Sequence, residues 1–99
     1  MLRHVVVFRW KVGTTQAQVD AVMAALRELP GQIPELRSYH FGPDLGLAEG
    51  NGDFAVVADV DDVDAWVVYR DHPAHRKVIT ERITPIVETR TAVQQDLPD

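Results

Sequence analysis

Residues 2–10 read LRHVVVFRW, and this stretch determines the fold class. Its β-branched and aromatic residues are typical of a β-strand, and polar turn residues follow it. Side chains alternate between the two faces of a strand, so Val6 and Phe8 lie on one face while Val5 and Val7 lie on the other. Both faces are apolar at the centre of the strand, which indicates that both faces of the sheet are covered.

Helical spacing of apolar residues predicts three helices further along the chain. Thr15, with Gln18 three residues later, forms a capping box that starts the first helix, and Pro30-Gly31 ends it. Aspartate caps and prolines bound the other two helices, which are predicted over 61–70 and 73–85.

Three further strands, predicted at 36–41, 54–60 and 89–97, complete the order β-α-β-β-α-α-β. This is the split βαβ, or ferredoxin-like, arrangement of an α+β protein. Right-handed crossovers then place the helices on one face of a four-stranded antiparallel sheet. Because helices on one side cannot cover both apolar faces, we expect two copies to pack sheet against sheet as a homodimer. A monomer with a few exposed valines is the alternative.

Length and composition narrow the class of protein. Ninety-nine residues predict a single domain over 1–99, and 45% hydrophobic with 25% charged residues is ordinary for a globular chain. A net charge of −5 with scattered basic residues argues against a nucleic-acid partner. The absence of cysteine excludes disulfides, thiolate zinc sites and a cysteine nucleophile. Without a signal-peptide pattern or a bilayer-length apolar run, a soluble cytoplasmic protein with no membrane partner is expected.

The segment YRDHPAH, from Tyr69 to His75, carries the candidate catalytic groups. His75 falls in the first turn of the third helix and continues that helix's apolar stripe. Burial and the positive end of the helix dipole both disfavour a cationic imidazole, so His75 is expected to be neutral and able to act as a general base. The Tyr69 hydroxyl is placed to donate to an oxygen that develops negative charge. The alternative is that both residues only pack in the core.

His4 shares its strand face with apolar core residues, so His4 and His75 are expected at the same cavity. His72 precedes Pro73 and should lie outside the helix that carries His75. We therefore expect His72 to cap that helix or to fix the turn before it, and we expect neither a metal site nor a cofactor. The other residues predicted to bind a small hydrophobic ligand are apolar or aromatic and face the same interior: Val6, Phe8, Val22, Leu26, Tyr39, Phe54, Val56 and Ile79.

Four groups of residues together form a recognisable pattern: His4-Val5-Val6-Val7 in the first strand, Pro34 and Gly42 around the second, Asp53-Phe54-Ala55 at the third, and Tyr69 followed by His72-Pro73-Ala74-His75. This pattern resembles the stress-responsive dimeric α/β barrel (Dabb) family along nearly the whole chain. The resemblance implies a ferredoxin-like monomer and a homodimer whose two sheets form a dimeric α/β barrel.

Within that family the chain resembles olivetolic acid cyclase-type polyketide cyclases, which carry out an intramolecular aldol condensation. That resemblance implies His75 as the general base, Tyr69 as the hydroxyl donor and His4 as a pocket residue. Phe54 and Leu26 stand where those cyclases have a histidine and a tyrosine, which argues against the same substrate. Two other functions remain open: a non-catalytic stress-responsive or metabolite-binding module, and an enzyme like the dimeric-barrel monooxygenases.

Overall fold

The computed structural model describes residues 1–98, so the predicted domain of 1–99 extends one residue beyond the described range. The fold is ferredoxin-like α+β, as predicted. Among these residues no helix combines the length and apolar character needed to cross a membrane. The elements in chain order are β1 (Leu2–Trp10), α1 (Gln16–Gln32), β2 (Ser38–Pro43), β3 (Phe54–Val60), α2 (Val63–Asp71), α3 (Pro73–Val78), a π-helical turn (Ile79–Ile83) and β4 (Val87–Asp96).

The four strands form one antiparallel sheet in the order β2-β3-β1-β4, with β1 and β3 at its centre. Val5 of β1 lies opposite Val57 of β3 and Val93 of β4. Residues of equal parity on β1 and β4 therefore share a face, which places Arg90, opposite Phe8, on the same face as His4.

The two faces of the sheet differ in what covers them. We call the face under the helices the covered face; its central residues Val6, Phe8, Phe54, Val56 and Ala58 are all buried. We call the other the open face; Val5, Val7, Ala55, Val57 and Val93 lie on it, and Val93 is 50% exposed. The predicted assignment of the β1 side chains to its two faces is confirmed.

The start of α1 is confirmed, but its predicted end is wrong. Thr15 accepts the Gln18 N–H at 3.2 Å, and the Gln18 side chain accepts the Thr15 N–H at 2.8 Å. The helix continues through Pro30 to Gln32. Proline removes one helical hydrogen bond, but the next turn still closes because the Ile33 N–H donates to the Leu29 carbonyl at 2.9 Å. Ile33 is fully buried, which holds the extra turn against the core.

Strands β2 and β4 also differ from the predicted ranges. β2 covers Ser38–Pro43 instead of 36–41, because its ladder with β3 runs from Ser38 opposite Asp59 to Pro43 opposite Phe54. β4 covers Val87–Asp96 instead of 89–97, because Glu88 is an extra residue in β4 at the register shift between Arg9 and Trp10, and Trp10 therefore pairs with Val87. Pairing with a neighbouring strand, which the local pattern does not encode, sets both boundaries.

The helix predicted over 73–85 changes type instead of continuing. Regular helix α3 ends at Val78, and the π turn follows, with the Thr84 N–H donating to the Ile79 carbonyl at 2.8 Å. A π turn places one extra residue in the helical repeat and so rotates the following side chains. Both Val78 and Ile83 remain buried across the change.

Candidate functional site

A cavity of about 340 Å³ lies between the covered face and the helical segment from α2 to the π turn. His4 and Phe8 line it from β1, Tyr69 from α2 and His75 from α3. A much smaller space of about 30 Å³ shares these four residues and reaches deeper into the core. The larger volume lies near the lower end of the range, about 300–1,000 Å³, typical of small-molecule sites.

The hydrogen bond of His75 fixes which ring nitrogen carries the proton. His75 Nδ1 lies 3.0 Å from the carbonyl oxygen of Arg70. A carbonyl oxygen only accepts, so Nδ1 carries the hydrogen and the lone pair of the neutral ring is on Nε2. Within residues 1–98 no hydrogen bond engages Nε2. His75 thus has the arrangement that a general base requires.

The surroundings of His75 keep its ring neutral at physiological pH. Burial is the main cause that lowers its pKa, and the charges of Arg76, Arg90 and His72 lower it further. The hydrogen bond to the Arg70 carbonyl acts in the opposite direction and does not offset them. The lowered pKa agrees with the neutral ring expected for His75, and burial is its main cause.

Tyr69 is buried and lies directly against His75. Its ring stacks on the imidazole with ring centres 4.2 Å apart, and only 2% of the residue is exposed. The hydroxyl lies 3.4 Å from the Tyr39 hydroxyl. Burial raises the pKa of Tyr69, and burial together with the neighbouring Tyr69 raises the pKa of Tyr39. Tyr69 therefore keeps its proton and can donate it in a hydrogen bond.

His4 presents the opposite tautomer to the cavity. The Gln94 side-chain amide donates to His4 Nδ1 at 2.8 Å, so Nε2 carries the hydrogen of the neutral ring. Burial, followed by the charges of Arg90 and His75, lowers the pKa of His4 to about 4. Its ring centre lies 6.1 Å from that of Tyr69. The site therefore combines one acceptor nitrogen on His75 with N–H and O–H donors on His4 and Tyr69.

The predicted site residues divide between the main cavity, the small deeper space and the core. Phe8 and Ile79 line the main cavity together with the two histidines and Tyr69. Val6, Leu26, Tyr39 and Val56 line the small deeper space.

Val22 and Phe54 lie elsewhere: both are fully buried in the core and line neither space. Phe54 packs against Trp10 at a ring-centre distance of 5.6 Å. Strand parity and helical spacing predict which face a side chain occupies, but not its position along that face.

Seven residues of the cavity wall were not predicted: Trp66, Arg70, Arg76, Ile83, Thr84, Val87 and Arg90. They include three arginines and one large aromatic side chain. No sequence signal identifies Arg90, because the loose alternation of residues 89–97 leaves the orientation of that strand undetermined. Arg90 reaches the face of His4 and Phe8 only through the register of β4 with β1.

The predicted role of His72 as a cap is confirmed. Its Nδ1 accepts the Ala74 N–H at 3.1 Å at the start of α3. Within residues 1–98 no group of three or more histidine, aspartate or glutamate side chains is arranged to hold a metal ion.

Comparison with known proteins places this geometry in context. The sequence model of the stress responsive A/B barrel domain matches residues 2–96. An uncharacterized protein of Streptomyces coelicolor is 38% identical over 78 residues, which are 77% of this chain and 80% of that protein. A crystal structure described as a dimeric ferredoxin-like protein of unknown function, from Thermobifida fusca, is 51% identical, with a TM-score of 0.91 over 97% of this chain and 90% of that chain.

A more distant structure shares the fold alone. The hydroxynitrile lyase of Passiflora edulis has a TM-score of 0.85 and 22% identity, with 99% of this chain and 94% of that chain covered.

Proposed function

The chain belongs to the stress responsive A/B barrel domain (Dabb) family, and from that premise we propose that it is a homodimeric enzyme that removes a proton next to a carbonyl group without a cofactor. The reaction class is aldol-type: cyclisation, or the reverse cleavage, of a small and largely apolar carbonyl compound. The observation that carries the proposal is the unengaged Nε2 of a neutral His75 at the cavity, with the Tyr69 ring stacked on the same imidazole.

The chemistry follows from these groups in two steps. His75 Nε2 takes a proton from the carbon next to the substrate carbonyl, and the electron pair of that C–H bond forms an enolate. The enolate carbon then bonds to a second carbonyl carbon of the same molecule, whose oxygen takes the proton back from His75. The base is restored, and neither an oxidant nor a metal enters the balance.

Donors at the cavity stabilise the negative oxygen formed in each step. The Tyr69 hydroxyl and the Nε2–H of His4 are both protonated at neutral pH and sit in a largely buried environment. Hydrogen bonds to a developing oxyanion are stronger in such an environment than in water. By name, the Passiflora edulis protein of the same fold is a lyase, which supports cleavage as the reverse direction of this chemistry.

The proposed dimer forms through the open face. Val5, Val57 and Val93 form a row across β3, β1 and β4. The loop before β3 extends this apolar surface with Leu45 and Leu47, which are 82% and 84% exposed. The Thermobifida fusca relative, 51% identical, is described as dimeric, which supports the same assembly here.

Hydrogen–deuterium exchange at carbon tests the proposed reaction without knowledge of the substrate. Phenylacetone has acidic C–H groups beside one carbonyl, and NMR follows the replacement of their hydrogens in D2O. We expect the protein to accelerate this exchange and His75→Asn to reduce the acceleration about 1,000-fold, because general-base catalysis contributes about 10²–10⁴-fold. Asparagine keeps a donor for the Arg70 carbonyl but lacks the basic nitrogen, so it separates the base from the fold.

The same experiment distinguishes the other two functions. If the wild-type protein shifts NMR signals around the cavity when phenylacetone binds but leaves exchange at the uncatalysed rate, the chain is a binding module. Exchange that is unchanged in His75→Asn removes His75 from the mechanism. Oxygen consumption during turnover of an anthrone-like substrate would instead assign the chain to monooxygenase chemistry.

A further inference from the structure

The cavity wall is rich in positive charge although the protein is acidic. The chain has 15 acidic and 10 basic residues, apart from histidine. No aspartate or glutamate is among the residues that line the cavity, but three arginines are: Arg70, Arg76 and Arg90. Arg70 is neutralised by Asp71 at 2.8 Å, whereas Arg76 and Arg90 have no salt bridge within residues 1–98.

Arg90 is the arginine most closely tied to the candidate catalytic groups. It lies on the covered face, opposite Phe8 of β1. His4 lies on the same face of that strand. It lines both the main cavity and the small deeper space. Its charge lowers the pKa of His4, of His75 and of Tyr69, so it acts electrostatically on all three. Arg90 is exposed and no side chain or backbone group within residues 1–98 accepts from its guanidinium, so its N–H groups are open to a ligand.

Trp66 gives an independent sign of a missing acceptor. Its Nε1 is buried and has no hydrogen-bond partner within residues 1–98. Trp66 lines the cavity, and its ring lies 6.0 Å from that of His4. A buried donor without a partner is destabilising, and native proteins leave few of them. A ligand oxygen in the cavity would satisfy this donor.

We infer that the substrate is a small apolar carboxylate, with the Arg90 guanidinium holding its carboxylate group and the Trp66 N–H donating to a ligand oxygen. Arginine binds carboxylates through two parallel N–H donors, which fixes the orientation of the ligand as well as its charge. Arg76 adds a second positive charge at the same wall. The inference rests on the proposed function, because it names the substrate class of that site.

A matched pair of probes tests the charge requirement by binding alone. 2-Naphthoate and 2-naphthamide have the same shape, and only the first is an anion. By NMR titration we expect the wild-type protein to bind the carboxylate at least about tenfold more tightly than the amide, which is the scale of one charge-assisted hydrogen-bond pair. Arg90→Gln should reduce this preference to less than about threefold.

Control variants separate the role of Arg90 from net charge and from folding. Arg27→Gln removes the same charge at an exposed position of α1 outside the cavity, and this variant should keep the full preference for the carboxylate probe. Arg90→Lys retains the charge without the paired donors and should give an intermediate value, with far-UV circular dichroism showing that each variant is folded. Equal binding of the two probes by the wild-type protein overturns the inference, and so does an unchanged preference in Arg90→Gln.

The two proposals fail in different experiments. If the protein prefers the carboxylate probe but does not accelerate exchange in phenylacetone, the proposed function is wrong and the carboxylate site stands. If the protein accelerates exchange in phenylacetone but does not prefer the carboxylate probe, the carboxylate site is wrong and the proposed function stands.

Discussion

The covered face and the open face of this sheet are both apolar at the centre, but the polar groups around them differ in whether they have a partner. On the open face, Arg3 pairs with Asp59 across β1 and β3 at 2.8 Å, and the bond lowers the pKa of Asp59. On the covered face itself, Gln94 pairs with His4 Nδ1. In the helices above it, the Nε2 of His75 and the indole N–H of Trp66 have no partner within residues 1–98. Paired charges around an apolar centre suit a protein partner, whereas unpaired polar groups around a cavity suit a ligand.

The largest effect is expected at the centre of the open face. Val5→Asp places a carboxylate in the row of valines, where the partner subunit would bury it without a counter-charge. An unpaired buried charge costs several kcal/mol, so we expect the dissociation constant of the dimer to rise at least about 1,000-fold. Sedimentation equilibrium measures the change, and circular dichroism checks that the single subunit stays folded.

Val12→Asp is the matched control, because Val12 is fully exposed in the turn after β1 and the same substitution there should leave the dimer intact. A wild-type protein that sediments as a single subunit at micromolar concentration would contradict the assignment of the open face as an interface.

The covered face should give a smaller effect that depends on pH. Burial lowers the pKa of His4 to about 4, against 6.5 for an ordinary histidine. Between these values the unfolded chain binds more protons than the folded chain, so stability rises with pH and is lost as pH falls from 6.5 toward 4. From pH 7 to pH 5 we expect His4 to account for a loss of about 2 kcal/mol in the free energy of unfolding, measured by urea denaturation at one protein concentration.

His4→Gln should flatten this pH dependence without abolishing it, since burial also lowers the pKa of His75 and contributes in the same direction. His40→Gln serves as the control, because His40 lies on the open face opposite Val57 and outside the cavity. A slope in His4→Gln equal to that of the wild-type protein would mean that His4 is not held neutral by the fold.

Sequence reasoning predicts the faces well and the details of the covered face only in part. Period-two alternation identified both faces of β1, and polar residues within apolar registers identified His4 and His75. Tyr69 was predicted from its place before the turn that precedes His75 and from the family resemblance. These signals are local, so they survive without knowledge of the tertiary structure.

What could not be predicted depends on long-range pairing and packing. The orientation of β4, which places Arg90 at the cavity, follows from its register with β1. The π turn after α3 and the continuation of α1 through Pro30 follow from packing against the core. Val22 and Phe54 lie outside the cavity because of their positions along the covered face. Neither the two-residue period of a strand nor the 3.6-residue period of a helix encodes such a position.

The smallest effect on stability, and the sharpest contrast between folding and function, is expected from the two tyrosines of the covered face. Their hydroxyls are 3.4 Å apart, longer than a strong O–H···O hydrogen bond. Tyr39→Phe and Tyr69→Phe should therefore each lower the free energy of unfolding by less than about 1 kcal/mol. If Tyr69 donates to the oxyanion, its loss should slow phenylacetone exchange about 100-fold, whereas Tyr39→Phe should change the rate less than about threefold. Equal losses of rate in the two variants would mean that the pair orders the core, and the covered face would then resemble the open face in using its polar groups for structure.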